Sequence, residues 1–292
     1  MSHKNYTQLS GAGLGFRREL LEQLKSAEES TLKKIHFLEL APENWMHCGG
    51  RYARDLREFT ERFPFTAHGL SLSIGASSEL DLDFLSQLKL FLNEHQIALY
   101  TEHLSWCSDK GHLYDLLPMP CTEEAVHWVA NRVRRVQDIL ERKIALENVS
   151  YYFSPPGSDM SEAEFISAIL READCLLHLD VNNIYVNSKN FGYDPEYYLR
   201  SLPLERVCYV HVAGHYVEAD GLIIDTHGAD VIDPVWHLLD QAYQNLERPA
   251  DQVPTCLERD FNFPSLADLV SELDVITEMQ ARHTLQTRSK VG

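Results

Sequence analysis

Polar and ionisable side chains stand at the ends of apolar segments in this sequence, and the segment LLHLDVNN (176–183) shows the pattern clearly. Its leucines predict a buried strand, whereas His178 and Asp180 lie two residues apart and therefore on one face of that strand. A buried carboxylate without a partner is energetically costly, so Asp180 requires a cation or hydrogen-bond donors beside it. Other segments of the chain must supply them.

Histidines, carboxylates and asparagines also stand at the carboxyl ends of the other apolar segments. Carboxylates interleaved with neutral imidazoles are the ligands that divalent transition metals prefer, and carboxylates at the centre of such a group can bridge two ions. Asp225 and His227, two residues apart in DTHG, could hold a further ion. The residues of this kind are Glu43, Asn44, His68, Glu102, His103, Glu147, Asn148, Asp180, Asn183, His211, Asp225, His227 and Glu258.

Each of these residues also has a purely structural interpretation. A single histidine at a strand end is more often hydrogen-bonded within the fold than bound to a metal. Glu258 could pair with Arg259, Glu147 could form a local salt bridge, and DTHG could be an Asx turn. Such explanations would have to hold separately at nearly every strand end, whereas one metal centre accounts for all of them. We therefore predict metal binding.

Eight strand patterns alternate with helical patterns, which indicates a (β/α)8 TIM barrel. A doubly wound open sheet is the main alternative, but GAGLGF (11–16) lacks the GxGxxG spacing of its phosphate loop. The carboxyl ends of barrel strands meet at one mouth, so we expect the polar side chains to gather there. The helix after the sixth strand is predicted at 194–202. The predicted strands are 11–16, 35–40, 65–70, 97–104, 143–149, 175–181, 206–212 and 254–260.

The composition narrows the classes of partner. A formal net charge of −18 in 292 residues disfavours nucleic acid, because phosphates would be repelled. We expect no membrane span, since no apolar run reaches about 18 residues. The beginning of the sequence, MSHKNYTQLSGAG, lacks the apolar region of a signal peptide, so we expect a cytoplasmic protein.

The six cysteines form no CxxC motif and lie mostly in apolar runs, as small core residues of a reducing compartment do. No linker or internal repeat interrupts the alternation of strands and helices. We expect a single TIM-barrel domain over residues 1–282, with the metal site at the mouth, followed by a polar, mobile tail at 283–292.

Seven strings, in order along the chain, resemble one known family: AHGLSLSIG, YTEHLSW, ALENVSYY, HLDVNNIYVN, YVHVAGH, DTHG and CLERD. The family is that of the multinuclear non-haem iron-dependent oxidative enzymes, typified by the oxidase subunit of methanobactin biosynthesis. It belongs to the xylose-isomerase-like TIM-barrel superfamily, which includes endonuclease IV. The resemblance extends from GAGLGF to the helix after Phe263. Endonuclease IV carries a histidine where the oxidative family and this sequence carry an asparagine, Asn183.

The resemblance implies three metal positions that together use nine side chains. One carboxylate, Glu147, is shared by the first two positions, and the resemblance allows partial occupancy of the third. Position by position, the implied ligands are His68, His103 and Glu147; Glu147, Asp180, His211 and Glu258; and Asn183, Asp225 and His227.

The family implies two or three iron ions, mixed Fe(II) and Fe(III), that react with O₂ and oxidise cysteine residues of a ribosomally synthesised precursor peptide. It also implies a separate partner protein that binds the leader of that peptide. Zinc or manganese could occupy the same nitrogen and oxygen ligands. No catalytic residue is predicted outside the ligand set. Six more residues are expected to orient ligands or contact substrate, namely Glu43, Asn44, Glu102, His178, Asn182 and His215.

Three other functions fit the same ligand order. A zinc or manganese hydrolase of the endonuclease IV type is disfavoured by the net charge of −18 and by Asn183. A sugar isomerase or epimerase similar to xylose isomerase would leave the DTHG segment unexplained. A metal-storage or partner-binding protein would bind ions without consuming O₂.

Overall fold

A computed structural model describes residues 9–109 and 111–291, with the side chains of 112, 114 and 286–291 outside the description. Eight parallel strands close into a barrel whose order follows the order of the chain. This confirms the predicted (β/α)8 TIM barrel. The strands are β1 (Ala12–Gly15), β2 (Phe37–Leu40), β3 (Phe65–Gly69), β4 (Leu99–His103), β5 (Ala145–Glu147), β6 (Leu176–Asp180), β7 (Val207–Ala213) and β8 (Thr255–Glu258).

Helices surround the barrel and cover its apolar outer face. In the 18-residue helix Glu123–Leu140, Val129, Val133, Val136 and Leu140 recur every three or four residues and are buried. The helices are α1 (Leu21–Ser26), α2 (Glu29–Leu32), α3 (Gly50–Thr60), α4 (Leu82–Glu94), α5 (Glu123–Leu140), α6 (Glu162–Ala173), α7 (Val181–Phe191), α8 (Pro195–Ser201), α9 (Asp233–Asn245) and α10 (Leu266–Val291). In the described part of the chain, none of them combines the length and the apolar character needed to cross a membrane.

Two helix starts have the caps that their sequences suggest. The Thr122 side chain accepts a hydrogen bond from the Ala125 backbone at the start of α5. At the start of α6, Ser161 and Glu164 exchange hydrogen bonds in a capping box. These caps fix the points at which the chain leaves the mouth loops and turns back along the barrel.

The structure differs from the sequence-based prediction around the mouth. Helix α7 begins directly after β6, and only α8 falls within the predicted helix at 194–202. Two antiparallel hairpins that were not predicted extend the loops after β4 and β7; their strands are Trp106–Ser108 with His112–Leu117 and Tyr216–Val217 with Ile223–Ile224. These short strands are stabilised by pairing within their own loops, which a local pattern does not reveal.

The last helix also extends beyond its predicted end. Helix α10 continues through Val291, and His283 and Thr284 within it are buried. The segment expected to be a mobile tail is therefore helical over its described residues, because buried side chains hold its first turn on the barrel. Gly292, the last residue of the predicted tail, lies outside the described residues. The predicted domain bounds, residues 1–282, stay a prediction.

The interior of the barrel is apolar at one end and polar at the other. Phe37, Tyr209 and Cys256 form a small buried cluster in the interior, with Leu99 and Cys208 packed against it. Above this cluster, towards the carboxyl ends of the strands, the inward side chains are histidines and carboxylates. The fold therefore buries ionisable groups at its mouth on a closed apolar floor.

Candidate metal centre

The strands bring six predicted ligands together at the mouth, and two pairs of them are direct partners in the register. His103 pairs with Glu147 across β4 and β5, and Asp180 pairs with His211 across β6 and β7. Their neighbours in the barrel, His68 on β3 and Glu258 on β8, complete the ring. Because inward side chains of adjacent strands lie side by side, residues far apart in sequence share one buried pocket.

The first group consists of His68, His103 and Glu147. Oε2 of Glu147 lies 3.1 Å from Nε2 of His68 and 3.4 Å from Nε2 of His103. The two Nε2 atoms are 3.1 Å apart. Three ligand-type atoms therefore face one point, as the first predicted metal position requires.

The second group lies around Nδ1 of His211. This nitrogen is 3.2 Å from Oε2 of Glu258, 3.8 Å from Oε1 of Glu147 and 3.9 Å from Oδ2 of Asp180. Glu147 thus presents one oxygen to each group. A carboxylate in this arrangement can bridge two ions, as two-metal sites require.

The third group lies on the loop after β7. Nε2 of His227 is 2.8 Å from Oδ1 of Asp225, and Nδ1 of His227 is 3.2 Å from Oε2 of Glu258. Asn183, predicted as a further ligand here, lies beside Glu147, and its Nδ2 donates to Oε1 of that residue at 3.2 Å. The structure thus brings His227 together with Asp225 and Glu258, whereas Asn183 contacts Glu147 and the Asn148 carbonyl.

Six buried atoms of these nine side chains have no partner in hydrogen-bond geometry among the described residues. One is Nδ1 of His103, which lies on the Glu102 side of the ring, and the other five belong to side chains that meet at the centre. Buried polar atoms are almost always paired, so a group of unpaired ones at one place indicates a missing partner. All five are nitrogen or oxygen atoms with a lone pair, which is what a cation would use. They are Oε2 of Glu147, Oδ2 of Asp180, Oδ1 of Asn183, Nδ1 of His211 and Nε2 of His227.

Three of the four candidate histidine ligands have a ring nitrogen within hydrogen-bond distance of a residue outside the nine predicted ligands. Nδ1 of His68 lies 2.7 Å from the Thr101 hydroxyl. Nε2 of His211 lies 2.7 Å from Glu39, and Nδ1 of His227 lies 3.0 Å from Asp260. Such contacts fix the ring orientation and the tautomer of metal-binding histidines.

His103 is held less directly. Its Nδ1 is 3.6 Å from Oε1 of Glu102, beyond hydrogen-bond distance. Glu102 instead accepts hydrogen bonds from the Tyr100 hydroxyl at 2.7 Å and from the His103 backbone at 3.1 Å. Glu102 therefore fixes the backbone that carries His103.

The carboxylates perturb one another strongly in this pocket. Burial, together with the nearby Glu147 and Asp225, raises the pKa of Asp180 well above its usual value. Burial also opposes ionisation of Glu147, but His178, His68 and His103 outweigh it and hold the pKa of that carboxyl below its usual range. The pKa values of two carboxyls in one site are thus shifted in opposite directions. A bound cation would favour the ionised form of both carboxyls.

A single arginine contacts three of the carboxylates. Arg17 lies 2.6 Å from Asp260, 3.4 Å from Glu258 and 3.9 Å from Glu39. One guanidinium shared in this way cannot neutralise three carboxylates, and Glu147 and Asp180 lie in the neighbouring groups. The negative charge of the centre is therefore only partly compensated by Arg17.

Asparagines position the ligands on β6 and on the loop after β7. The side chain of Asn148 donates to the Asp180 carbonyl and accepts from the Asp180 amide, both at 2.9 Å. Asn182 donates to Asp225 at 2.8 Å, and its own Oδ1 lies 2.8 Å from Nδ1 of His215. Asn182 and His215 therefore support Asp225 in this structure.

Glu43 and Asn44, two further residues expected to orient ligands or contact substrate, make contacts outside the ligand groups. Glu43 accepts hydrogen bonds from the Leu70 and Ser71 backbone at 2.9 and 3.0 Å, so it braces the loop after β3. Asn44 is exposed, and its carbonyl accepts a hydrogen bond from Arg18. Neither side chain belongs to the three ligand groups.

His178 lies one layer below the ligands. It is fully buried, its ring is 4.0 Å from that of His211, and within the described part of the chain neither of its nitrogens has a hydrogen-bond partner. Burial and the neighbouring His211 lower the pKa of His178 well below its usual value. The ring packs against His211 beneath the centre.

Sequence reasoning missed four residues that support the centre: Glu39, Arg17, Thr101 and Asp260. Glu39 had a recognisable signal, since IHFLEL places a lone carboxylate on an otherwise apolar strand, as LLHLDV does. Arg17 and Asp260 gave none, because their role depends on contacts between opposite ends of the chain. Thr101 is an ordinary strand residue until its neighbour on β3 is known.

The donor set fits transition-metal ions. It consists of imidazole nitrogens, carboxylate oxygens and one amide oxygen, which suits iron, manganese or zinc. Cys256 pairs with His211 in the sheet, lies near Glu39 and His211, and packs with Phe37 and Tyr209. In each of three groups the candidate ligand atoms lie within 4.8 Å of one another: His68, His103 and Glu147; Asp180, His211 and Glu258; and His227, Glu258 and Asp260.

Solved structures with the same architecture include several xylose-isomerase-like barrels. The apo 3-keto-D-glucoside 4-epimerase of E. coli matches with a TM-score of 0.55 at 14% identity, over 93% of this chain and 99% of that chain. A D-psicose 3-epimerase matches with a TM-score of 0.55 at 12% identity, over 96% and 97% of the two chains. At these identities the likeness establishes the fold alone.

Sequence relatives cover almost the whole chain. A UPF0276 protein of Nitrosospira multiformis is 60% identical over 280 residues, which are 96% of each chain. A UPF0276 protein of Pseudomonas aeruginosa is 52% identical over 275 residues, which are 94% of each chain. Residues 11–281 match the family described as the RiPP precursor modification enzyme MbnB/TglH/ChrH, where RiPP denotes a ribosomally synthesised, modified peptide. This chain therefore belongs to the MbnB/TglH/ChrH family of RiPP precursor modification enzymes.

Proposed function

We propose that this protein is an iron-dependent, O₂-consuming oxidase that modifies cysteine residues of a ribosomally synthesised precursor peptide. The single observation that carries the metal part of the proposal is the convergence of five buried, unpartnered ligand atoms among the described residues. Membership of a family that modifies such precursors supports a peptide substrate. The identity of the metal and the oxidation rest on the resemblance of the seven strings.

Nine side chains of this chain would hold the metal ions in three positions. His68, His103 and Glu147 serve the first position, and Glu147 connects it to the second. A bound iron pair supplies the redox chemistry that activates O₂, which nitrogen and carboxylate ligation with open positions permits. The remaining proposed ligands are Asp180, His211 and Glu258 for the second position and Asn183, Asp225 and His227 for the third.

The surrounding residues keep this centre preorganised. Thr101 and Glu39 contact one ring nitrogen of His68 and of His211, which leaves the other nitrogen of each ring towards the centre, and Asp260 contacts Nδ1 of His227. The apolar floor excludes water from beneath the centre, where fixed carboxylates act more strongly than in water. A substrate therefore approaches from the mouth.

The rim of the mouth suits a peptide. Exposed apolar side chains stand on the loops that follow several strands, namely Trp106, Tyr152, Phe153, Tyr216 and Phe261. Exposed apolar residues grouped around a site are typical of protein and peptide contacts. Such a rim can pack against the residues that flank a reacting cysteine.

The test is an oxidation assay with the reconstituted protein. Protein loaded anaerobically with Fe(II) is mixed with O₂ and with cysteine-containing peptides encoded beside its gene, with and without the partner protein encoded there. We expect O₂ uptake and a change in peptide mass, both lost when cysteine is replaced by serine in the peptide. Absence of uptake and of a mass change with each of these peptides would contradict the proposal.

A sugar isomerase or epimerase is the alternative suggested by the shared fold. Its test is turnover of ketose and aldose sugars by the manganese-loaded protein without O₂. Sugar turnover would favour this alternative over the oxidase. The three contiguous ligand groups favour the oxidase, because the group around His227 is not needed for a two-metal centre.

A further inference from the structure

A buried carboxylate lies directly behind the candidate ligand His211. Glu39 on β2 is fully buried and lies outside the nine predicted ligands. Its Oε2 accepts hydrogen bonds from Nε2 of His211 at 2.7 Å and from the Tyr209 hydroxyl at 2.8 Å. Both donors are themselves fully buried, so the three side chains form a polar connection between the floor of the barrel and the metal centre.

This contact determines which nitrogen of His211 can bind a metal. A hydrogen bond to a carboxylate places the proton on Nε2, so the lone pair of the neutral ring is on Nδ1. Nδ1 is the atom that lies 3.2 Å from Glu258 and 3.9 Å from Asp180, and it has no hydrogen-bond partner among the described residues. The Glu39 contact therefore orients the ring correctly for the second metal position.

The support behind His211 is stronger than the support behind His68. His68 faces the hydroxyl of Thr101, a neutral group, whereas His211 faces a carboxylate. Hydrogen bonds that involve an ionised group are about twice as strong as neutral ones. A carboxylate also makes the imidazole a better electron donor to a bound cation.

We propose that Glu39 is a positioning residue that sets the metal affinity of the second position through His211. The inference rests on the metal centre of the proposed function, but it needs neither iron nor a peptide oxidation. Arg17 contributes by lying 3.9 Å from Oε1 of Glu39, on the side away from His211 and Tyr209. The carboxylate is thereby held between a cation and two donors.

Two substitutions separate the charge of Glu39 from its hydrogen bonds. Glu39→Gln keeps an acceptor oxygen for Tyr209 and His211 but removes the negative charge. Glu39→Met keeps a chain of similar length and removes both the acceptor and the charge. Tyr209→Phe is the matched control, because it removes the other donor to Glu39 and leaves the contact with His211.

The probe is Co²⁺, titrated into the metal-free protein without O₂ and followed by its visible absorption. We expect the second position to bind Co²⁺ about 10-fold more weakly in Glu39→Gln and up to about 100-fold more weakly in Glu39→Met. Tyr209→Phe should stay within about 2-fold of the parent, and circular dichroism should show each variant folded. If Glu39→Met does not fold, Glu39→Gln alone decides the test.

Binding of Co²⁺ by folded Glu39→Met, or by Glu39→Gln in its place, within 2-fold of the parent would overturn the proposal. A loss in Tyr209→Phe equal to that in the Glu39 variants would also overturn it, since the effect would then lie in the packing of the floor. A parent protein that binds Co²⁺ as expected but does not oxidise peptides would contradict the oxidase and leave the role of Glu39 intact.

Discussion

Glu147 lies 3.1 Å from His68 through Oε2 and turns Oε1 towards a different set of ligands. One carboxylate on the short strand β5 therefore connects two groups of metal ligands. The group on its other side is centred on His211, whose Nδ1 is 3.8 Å away. Removal of this one charge should affect both groups.

Glu147→Gln should lose most of the metal from the first two positions, because the amide cannot bridge two cations as a carboxylate does. The measurement is metal content per chain after dialysis, by mass spectrometry of the elements. Glu162→Gln is the matched control: Glu162 is a carboxyl on the outer flank, 3.1 Å from the Tyr151 hydroxyl, and should keep the parental metal content. Equal metal content in Glu147→Gln and the parent would contradict the bridging role.

Asp260→Asn should weaken the third position selectively. Asp260 accepts from Nδ1 of His227 and pairs with Arg17, and loss of such a support typically costs about 10–100-fold in metal affinity. A chelator titration of the loaded protein should remove one class of ion earlier than in the parent and leave the rest unchanged. Uniform release of all ions in Asp260→Asn would argue against a separate third position.

The metal-free protein should lose stability as the pH rises from neutral. Burial lowers the pKa of His103, but the attraction of Glu147 outweighs it and raises the pKa from 6.5 to about 9. A group with a raised pKa stabilises the fold fully below its unfolded value, and the contribution is lost as the pH rises through the folded value. Urea unfolding with a chelator present should therefore give a free energy of unfolding that falls between pH 6.5 and 9.

His103→Gln is the variant that isolates this effect, and its profile should be flatter over the same interval. If the free energy of unfolding of the parent protein increased over this pH interval, the raised pKa of His103 would be contradicted. In the same range, metal binding should tighten with rising pH, because His103 must release its proton to solvent before its nitrogen can bind a metal ion.

Asn148→Ala should destabilise the fold rather than act on the metal alone. Its side chain satisfies both the amide and the carbonyl of buried Asp180, and each orphaned group costs about 1–3 kcal/mol. We expect a loss of about 2 kcal/mol or more in urea unfolding. Asn190→Ala is the control, since Asn190 makes the same pair of bonds to Ile223 at a more accessible place. If Asn148→Ala lost the same or less free energy of unfolding than Asn190→Ala, the stabilising role of the Asn148 side chain would be contradicted.

The sequence was sufficient to predict the barrel, and the structure brings several of the side chains singled out in the sequence together at its mouth. Strand patterns with an ionisable residue at the end, such as that ending at His103, have a local signature and a fixed consequence in a closed parallel barrel. Once the eight strands were recognised, the proximity of Glu147 and Asp180 followed from topology. No contact between side chains had to be known.

Supporting residues could not be found in the same way. Asp260 contacts Arg17 across most of the chain length, and neither residue belongs to an informative local pattern. Helix α7 was missed because its first two turns, VNNIYVN, contain valines and asparagines, which are poor helix formers. It starts there because Oδ1 of Asp180 accepts a hydrogen bond from the Asn183 backbone at 2.6 Å and caps the helix.

Metal analysis of the purified protein tests the central claim most directly. Anaerobic reconstitution of the metal-free protein with ⁵⁷Fe(II), removal of loosely bound iron and Mössbauer spectroscopy give the number of bound ions and their distinct environments. The arrangement around Glu147 predicts at least two tightly bound irons per chain, lost together in Glu147→Gln. Less than one tightly bound transition-metal ion per chain, with iron, manganese and zinc alike, would contradict it.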